Sequence, residues 1–252
     1  MLSPKATVRR LLERAGYWST HRSVLPFGLD PVWDMQRLAA RHGFTVRRVF
    51  DVGAHVGLMS QAFLDGFPKA QVHAFEPHPN SFGCLQQLKS ERLEPHRLAL
   101  SDAPGEGRFF VYSEVVDPNV PAAASMNNSL VERRQFGLVG GQYSHSITVE
   151  KSTVDLICRQ QGIDALEILK IDTEGHEREV LAGAAETLAG RGVRFVFLEF
   201  ETVLPIPEAT GGALAPCAEL LEPLGFKLAA TYVNNMEDAP LYICLNALFL
   251  RA

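Results

Sequence analysis

The sequence predicts an α/β fold built on a mostly parallel sheet with helices on both faces. Three observations carry that reading: short apolar and β-branched runs alternate with helical segments from Arg48 onward, the first run ends in a glycine-bearing turn, and a later run ends in a dense acidic turn. A strand buried on both faces reads as a near-continuous apolar run, and joining it to a parallel neighbour takes a crossover, usually a helix.

The runs are RVFDVG, VHAFEP, HRLALSD, LEILKID and VRFVFLEF. Ahead of them, residues 5–15 and 30–42 read as helices of an N-terminal helical cap spanning 1–44. The second has Asp30 as N-cap, Pro31 at its first helical position and Gly43 past its end. The third and fourth runs are separated by residues 114–146, rich in Pro, Ala, Ser, Asn and Gly. So long a stretch without a period inside a compact chain reads as a lid over substrate. After the last run, FKLAATYV and LYICLNALFLRA flank the turn-rich NNMEDAP and predict an antiparallel pair at one sheet edge. At 252 residues with 46% apolar content, the chain suits one core, so 1–252 reads as a single domain with 45–252 as its α/β part.

Composition narrows the function. A formal net charge of −5 argues against a nucleic-acid partner, which needs clustered Lys and Arg. The basic cluster Lys5, Arg9, Arg10 and Arg14 has the spacing of a solvated helix face. The four cysteines form no CxxC pair, which predicts reduced thiols rather than a zinc or redox site. With no signal-like apolar run and no stretch near the roughly 20 apolar residues needed to span a bilayer, a cytoplasmic location is expected.

In RVFDVGAHVGLMSQAFL, Asp51 ends a strand, Gly53, Ala54, His55 and Gly57 form the turn, and an apolar helix follows. Ligands of open α/β sheets sit at such strand ends. A dinucleotide site would need G-x-G-x-x-G, but His55 and Leu58 stand where the second and third glycines fall, which argues against a nicotinamide-dependent oxidoreductase. A carboxylate at Asp51 would repel pyrophosphate and attract the cationic amino-acid end of S-adenosylmethionine, directly or through water, by about 4 kcal/mol for charges 4 Å apart at an effective dielectric of 20. Glu76 closes the second run, placed to accept hydrogen bonds from ribose hydroxyls. Ser101 and Asp102 end the third, either beside an adenine ring or as turn caps.

In LEILKIDTEGHEREVLAGA, Asp172, Glu174, His176 and Glu177 crowd a strand-to-helix turn facing the same crevice. Acidic residues favour a helix N-terminus, which accounts for Glu177 and leaves Asp172 as a functional candidate.

DVGAHVG, AFEPHP, ALSD, the pair Thr153 and Asp155, and LKIDTEGHEREVLAGA, in this order, resemble the FkbM family of methyltransferases over roughly residues 48–201. The resemblance implies a Rossmann-like class I methyltransferase: a mostly parallel seven-stranded sheet with a reversed final strand. It implies S-adenosyl-L-methionine as cofactor and transfer to a hydroxyl of a sugar, polyketide or related small metabolite. Position 55 departs from the family, which more often carries Asn. A methyltransferase-like binding module without catalysis is the alternative, against which Asp51, Glu76 and Asp172 stand intact.

Methyl transfer to an alcohol needs the oxygen held in line and its proton removed. One arrangement uses His176 as base, oriented by Asp172 or Glu174. The less favoured one places Mg²⁺ between Asp172 and Glu199, with Glu201 as a third oxygen ligand. The catalytic set is therefore Asp172, His176 and Glu199, with no metal ligand assigned.

Overall fold

The computed structural model describes residues 25–113, 128–132, 142–190, 192–203, 214–238 and 241–251. The helix expected over 5–15 and most of the lid expected over 114–146 lie outside the described residues.

Helix α1 (Pro31–Arg41) starts as its sequence dictates: the Asp30 carboxylate accepts from the Trp33 amide at 2.8 Å, and Pro31 needs no partner at the first position. Its buried Val32, Met35 and Ala39 recur at helical spacing. Asp34, fully buried in its first turn, accepts from the Gly28 amide at 2.7 Å and the Tyr232 hydroxyl at 3.0 Å, tying the helix to the far edge of the sheet.

The sheet follows. Strands β1 (Arg48–Val52), β2 (Gln71–Phe75) and β3 (Leu93–His96) run parallel, linked by α2 (Leu58–Gly66) and α3 (Pro79–Leu85). Two strands, β4 (Ala99–Leu100) and β5 (Gly105–Ser113), then leave the sheet, and β6 (Gln142–Ser152) pairs with both. Helix α4 (Val154–Gln161) returns the chain to β7 (Ile168–Ile171). Helices α5 (Glu177–Ala182) and α6 (Ala185–Ala189) precede β8 (Phe195–Val203), and α7 (Leu214–Leu221) precedes β9 (Lys227–Asp238) and β10 (Leu241–Leu250). The seven-stranded order is β3-β2-β1-β7-β8-β10-β9, with β10 antiparallel to both neighbours, so the expected edge pair and reversed last strand are present.

The core follows the two-residue period of the strands. Phe50, Val52, Leu169, Ile171, Val196 and Leu198 face α4 and α5, while Val49, Ile168, Phe195 and Phe197 face α1 and α2. Among the described residues, no helix is long and apolar enough to cross a membrane.

The third strand corrects the sequence reading. HRLALSD does not form one strand: the main sheet uses Leu93–His96, and Ala99–Leu100 belongs to the second, three-stranded sheet, β4-β6-β5. Pro95 argues against a central strand, but β3 is outermost and pairs on one side alone, where a proline is tolerated.

Candidate active site

A cleft of about 240 Å³ opens at the carboxyl ends of β1, β2, β7 and β8. It lies where the strand order reverses between β1 and β7, the place where an open sheet leaves a crevice. Phe75, Leu100 and Phe109 supply apolar lining, and Asn128 and Leu130 close it from the side of the second sheet.

The turn after β1 is sewn to β2, because the amides of Gly53 and Ala54 both donate to the Phe75 carbonyl at 3.0 Å. Gly53 has φ +73°, and a β-carbon there would lie 1.7 Å from the Asp172 carbonyl oxygen, so the turn presses against the end of β7 and admits only glycine. Gly57, at φ +90°, caps α2, and Leu85 and Leu88 fill the space a β-carbon would need. Ala54 packs with Ala74 and Leu85. His55 lines the cleft and has φ +51°. That left-handed conformation is one Asn, Asp and His enter more readily than most residues, so His suits this turn.

Asp51 does not line the cleft. Its carboxylate is fully buried, 3.0 Å from the Lys170 ammonium and 2.6 Å from the Ser60 hydroxyl, which donates to it. Its nearest cation is thus the protein's own Lys170, which leaves action on a ligand through the turn or through water as the expectation for Asp51. Lys170 also reaches Asp172 at 3.3 Å and donates to the Gly53 carbonyl at 2.9 Å, so it joins the two loop-bearing strand ends. Burial opposes its charge, but Asp172 and Asp51 outweigh that and hold its pKa above the ordinary lysine value. A lysine inside the apolar run LEILKID was the sequence signal for it, and it was missed.

Glu76 is buried at the end of β2 and lines the cleft. One oxygen accepts from the His55 amide at 2.9 Å and the other from the His78 amide at 2.8 Å. Each oxygen keeps a second lone pair for a ligand. Burial pushes its pKa up to about 7, against the two amide hydrogen bonds and Lys170.

Beyond β7, the turn Asp172–His176 is held from within. Buried Glu177 accepts from the amides of Thr173 and Gly175 at 2.9 and 3.1 Å and from the Thr173 hydroxyl at 3.1 Å, so it organises the turn as well as starting α5. Glu174 sits at φ +57° and Gly175 at +96°. This brings oxygens of Asp172, Glu174 and Glu199 within 4.8 Å of one another. Burial, then the carboxylates of Asp172 and Glu174, raise the Glu199 pKa well above its ordinary value, and the Cys244 thiol donates to Glu199 at 2.8 Å. Asp172 and Glu199 thus meet as expected, joined by Glu174, while the side chain of Glu201 lies outside the described residues.

His176 lines the cleft, but its partners differ from those expected. Its Nε2 is 2.9 Å from the Ser101 hydroxyl, and its Nδ1 is 3.6 Å from Glu179. Ser101 donates its one proton to Asp102 at 2.8 Å, so the network assigns the imidazole proton to Nε2 and a lone pair to Nδ1. Burial lowers the His176 pKa, opposed by Glu179 and Asp102. Ser101 is fully buried and spends its hydroxyl on this network, Asp102 is exposed, and the preceding Ala99 and Leu100 line the cleft. Thr153 caps α4 through the Leu156 amide, and Asp155 accepts from the amides of Glu186 and Thr187 at the start of α6, so that pair is structural.

The sheet is Rossmann-like with one reversed strand, and it carries its cleft at the strand ends with acidic residues after β2 and β7; the family match makes it a methyltransferase. The model of the methyltransferase FkbM domain matches residues 51–214, and the chain belongs to that family. It is 33% identical over 217 residues to 31-O-demethyl-FK506 methyltransferase FkbM of Streptomyces tacrolimicus, covering 77% of this chain and 79% of that one. It is 26% identical over 193 residues to 2-O-methyltransferase NoeI of Sinorhizobium fredii, covering 75% and 76%. Hexuronic acid methyltransferase AglP of Haloferax volcanii is 27% identical over 194 residues, covering 75% and 67%.

Proposed function

We propose that this chain uses S-adenosyl-L-methionine to methylate a hydroxyl on a sugar, polyketide or related small metabolite. The observation that carries the reading is Glu76: a cleft-lining carboxylate with both oxygens fixed by backbone amides and lone pairs left over, which suits a ribose diol. The relatives named for 31-O-, 2-O- and hexuronic acid methylation point the acceptor toward oxygen-rich metabolites. The turn Gly53–Gly57 bounds the donor's end of the cleft, and His55 offers a side chain to it.

His176 is the proposed base. Its Nδ1 would take the hydroxyl proton of the acceptor, bound S-adenosyl-L-methionine would supply the methyl group, and Glu179 would stabilise the protonated imidazole. Asp172 and Glu199 would orient the acceptor. Acceptor choice falls to residues 114–146 and the segment before β1, a reading supported by Asn128 and Leu130 in the cleft wall. The test is release of S-adenosylhomocysteine with a panel of sugar and polyketide alcohols. His176→Ala is expected to lower kcat roughly 10²–10⁴-fold with donor affinity kept; unchanged turnover would remove His176 from the chemistry.

A hard cation held by Asp172, Glu174 and Glu199 is the second reading, favoured by their convergence within 4.8 Å. It would supply charge to polarise the acceptor oxygen. The raised pKa of Glu199 lets a shared proton satisfy the same cluster. Turnover that survives a chelator supports the proton, and turnover restored by Mg²⁺ supports the cation.

A further inference from the structure

Outside the cleft, the sheet edge carries a second cluster of ligating side chains. His73 on β2 and Glu94 on β3 are direct neighbours in the parallel register, and His96 lies two residues along β3 on the same face. His73 Nδ1 is 3.3 Å from His96 Nε2. The Glu94 carboxylate straddles the two, one oxygen 3.5 Å from His73 and the other 3.6 Å from His96.

These distances have a specific meaning. Ligand atoms 2.0–2.1 Å from a tetrahedral Zn²⁺ are separated by about 3.3 Å along each edge, which the 3.3 Å between the two imidazole nitrogens matches, and one ligand atom from each of the three residues lies within 4.8 Å of the others. Neither Glu94 oxygen forms a good hydrogen bond at its distance, yet both face imidazole nitrogens. The carboxylate is itself positioned from outside, by the side-chain amides of Gln71 at 3.4 Å and Gln161 at 3.3 Å. His73 is buried, and its Nε2 has no hydrogen-bond partner, so its polar contacts run through Nδ1 into the cluster. Both rings ligate a metal in their neutral form.

The geometry points to a binding site for Zn²⁺ or a like borderline dication, formed by His73, Glu94 and His96 with a position left for water. Two imidazoles and one carboxylate suit that class, whereas Mg²⁺ takes oxygen ligands. An ion here would staple the outermost strand β3 to β2. It would also steady the cleft, since His96 stacks on Phe75 at 4.7 Å and its carbonyl accepts from the Glu76 amide at 3.0 Å.

The test is calorimetric titration of the full chain, stripped by chelator, with Zn²⁺ and in parallel with Mg²⁺. Zn²⁺ is expected to bind with one-to-one stoichiometry and to raise the melting temperature. Affinity should fall at least roughly tenfold in His96→Ala and in Glu94→Gln, and stay unchanged in Asp172→Asn, which separates this site from the carboxylate cluster of the cleft. Glu94 is 44% exposed, so its substitution carries the test even if His96→Ala fails to fold. Absence of Zn²⁺ binding would overturn the proposal and leave the histidines as a hydrogen-bonded pair. Wild-type affinity in either variant, or loss of the ion in Asp172→Asn, would overturn it as well.

Discussion

Glu76 is a residue through which pH is expected to act on the cleft. Its pKa is raised to about 7, so it protonates as pH falls through neutrality, and a protonated carboxyl loses acceptor capacity for ribose hydroxyls. Affinity for S-adenosylhomocysteine is therefore expected to weaken from pH 8 to pH 6, by up to about tenfold per pH unit below 7, and Glu76→Gln should flatten the profile. An equal slope in the variant would assign the titration elsewhere. Position 55 responds to backbone instead of charge: at φ +51°, His55→Asn and His55→Gly should leave thermal stability near wild type, while His55→Val should cost about 1–2 kcal/mol in urea unfolding. An unaffected Val variant would show that the turn is not held left-handed. Glu76 was legible in sequence because it ends a buried apolar run. The partner of Asp51 was not, because sequence displays a charge without its cross-strand neighbour, and Lys170 stands opposite Asp51 only once β1 and β7 are in register.

At the scale of elements, the site is two strand-to-helix turns locked together. Lys170 bridges Asp51 and Asp172, and Gly53 packs against the backbone of Asp172. Removing one member leaves buried charge uncompensated, so Lys170→Met is expected to destabilise the fold by about 3–5 kcal/mol in urea unfolding. A loss below about 1 kcal/mol would mean that the bridge is not holding the turns. The strands legible in sequence were those with uninterrupted apolar runs. Strand β3 was displaced in that reading because Pro95 masks an edge strand. The β5–β6 pairing was not foreseen either, because β6 begins at Gln142, inside the stretch 114–146 read as a lid, and pairs with β5 across a large gap in sequence. The acidic turn was legible as a site, but the orientation of His176 was not: Ser101 comes to it from β4, a strand outside the main sheet.

For the whole molecule, the sheet order places its reversal beside β1 and β7, which is why residues far apart in sequence converge on one cleft. Alternation of strands and helices made the fold class readable, and the motifs after β1, β2 and β7 made the family readable. The acceptor was not readable in the same way, because the stretch 114–146 proposed to select it carries no comparable motif. The most direct measurement is calorimetric titration of the full chain with S-adenosylhomocysteine, with NADH in parallel and Glu76→Ala beside the wild type. One-to-one binding of S-adenosylhomocysteine alone, weakened in Glu76→Ala, is the expected result. Binding of NADH instead, or donor affinity unchanged in folded Glu76→Ala, would contradict a methyl-donor cleft organised around Glu76.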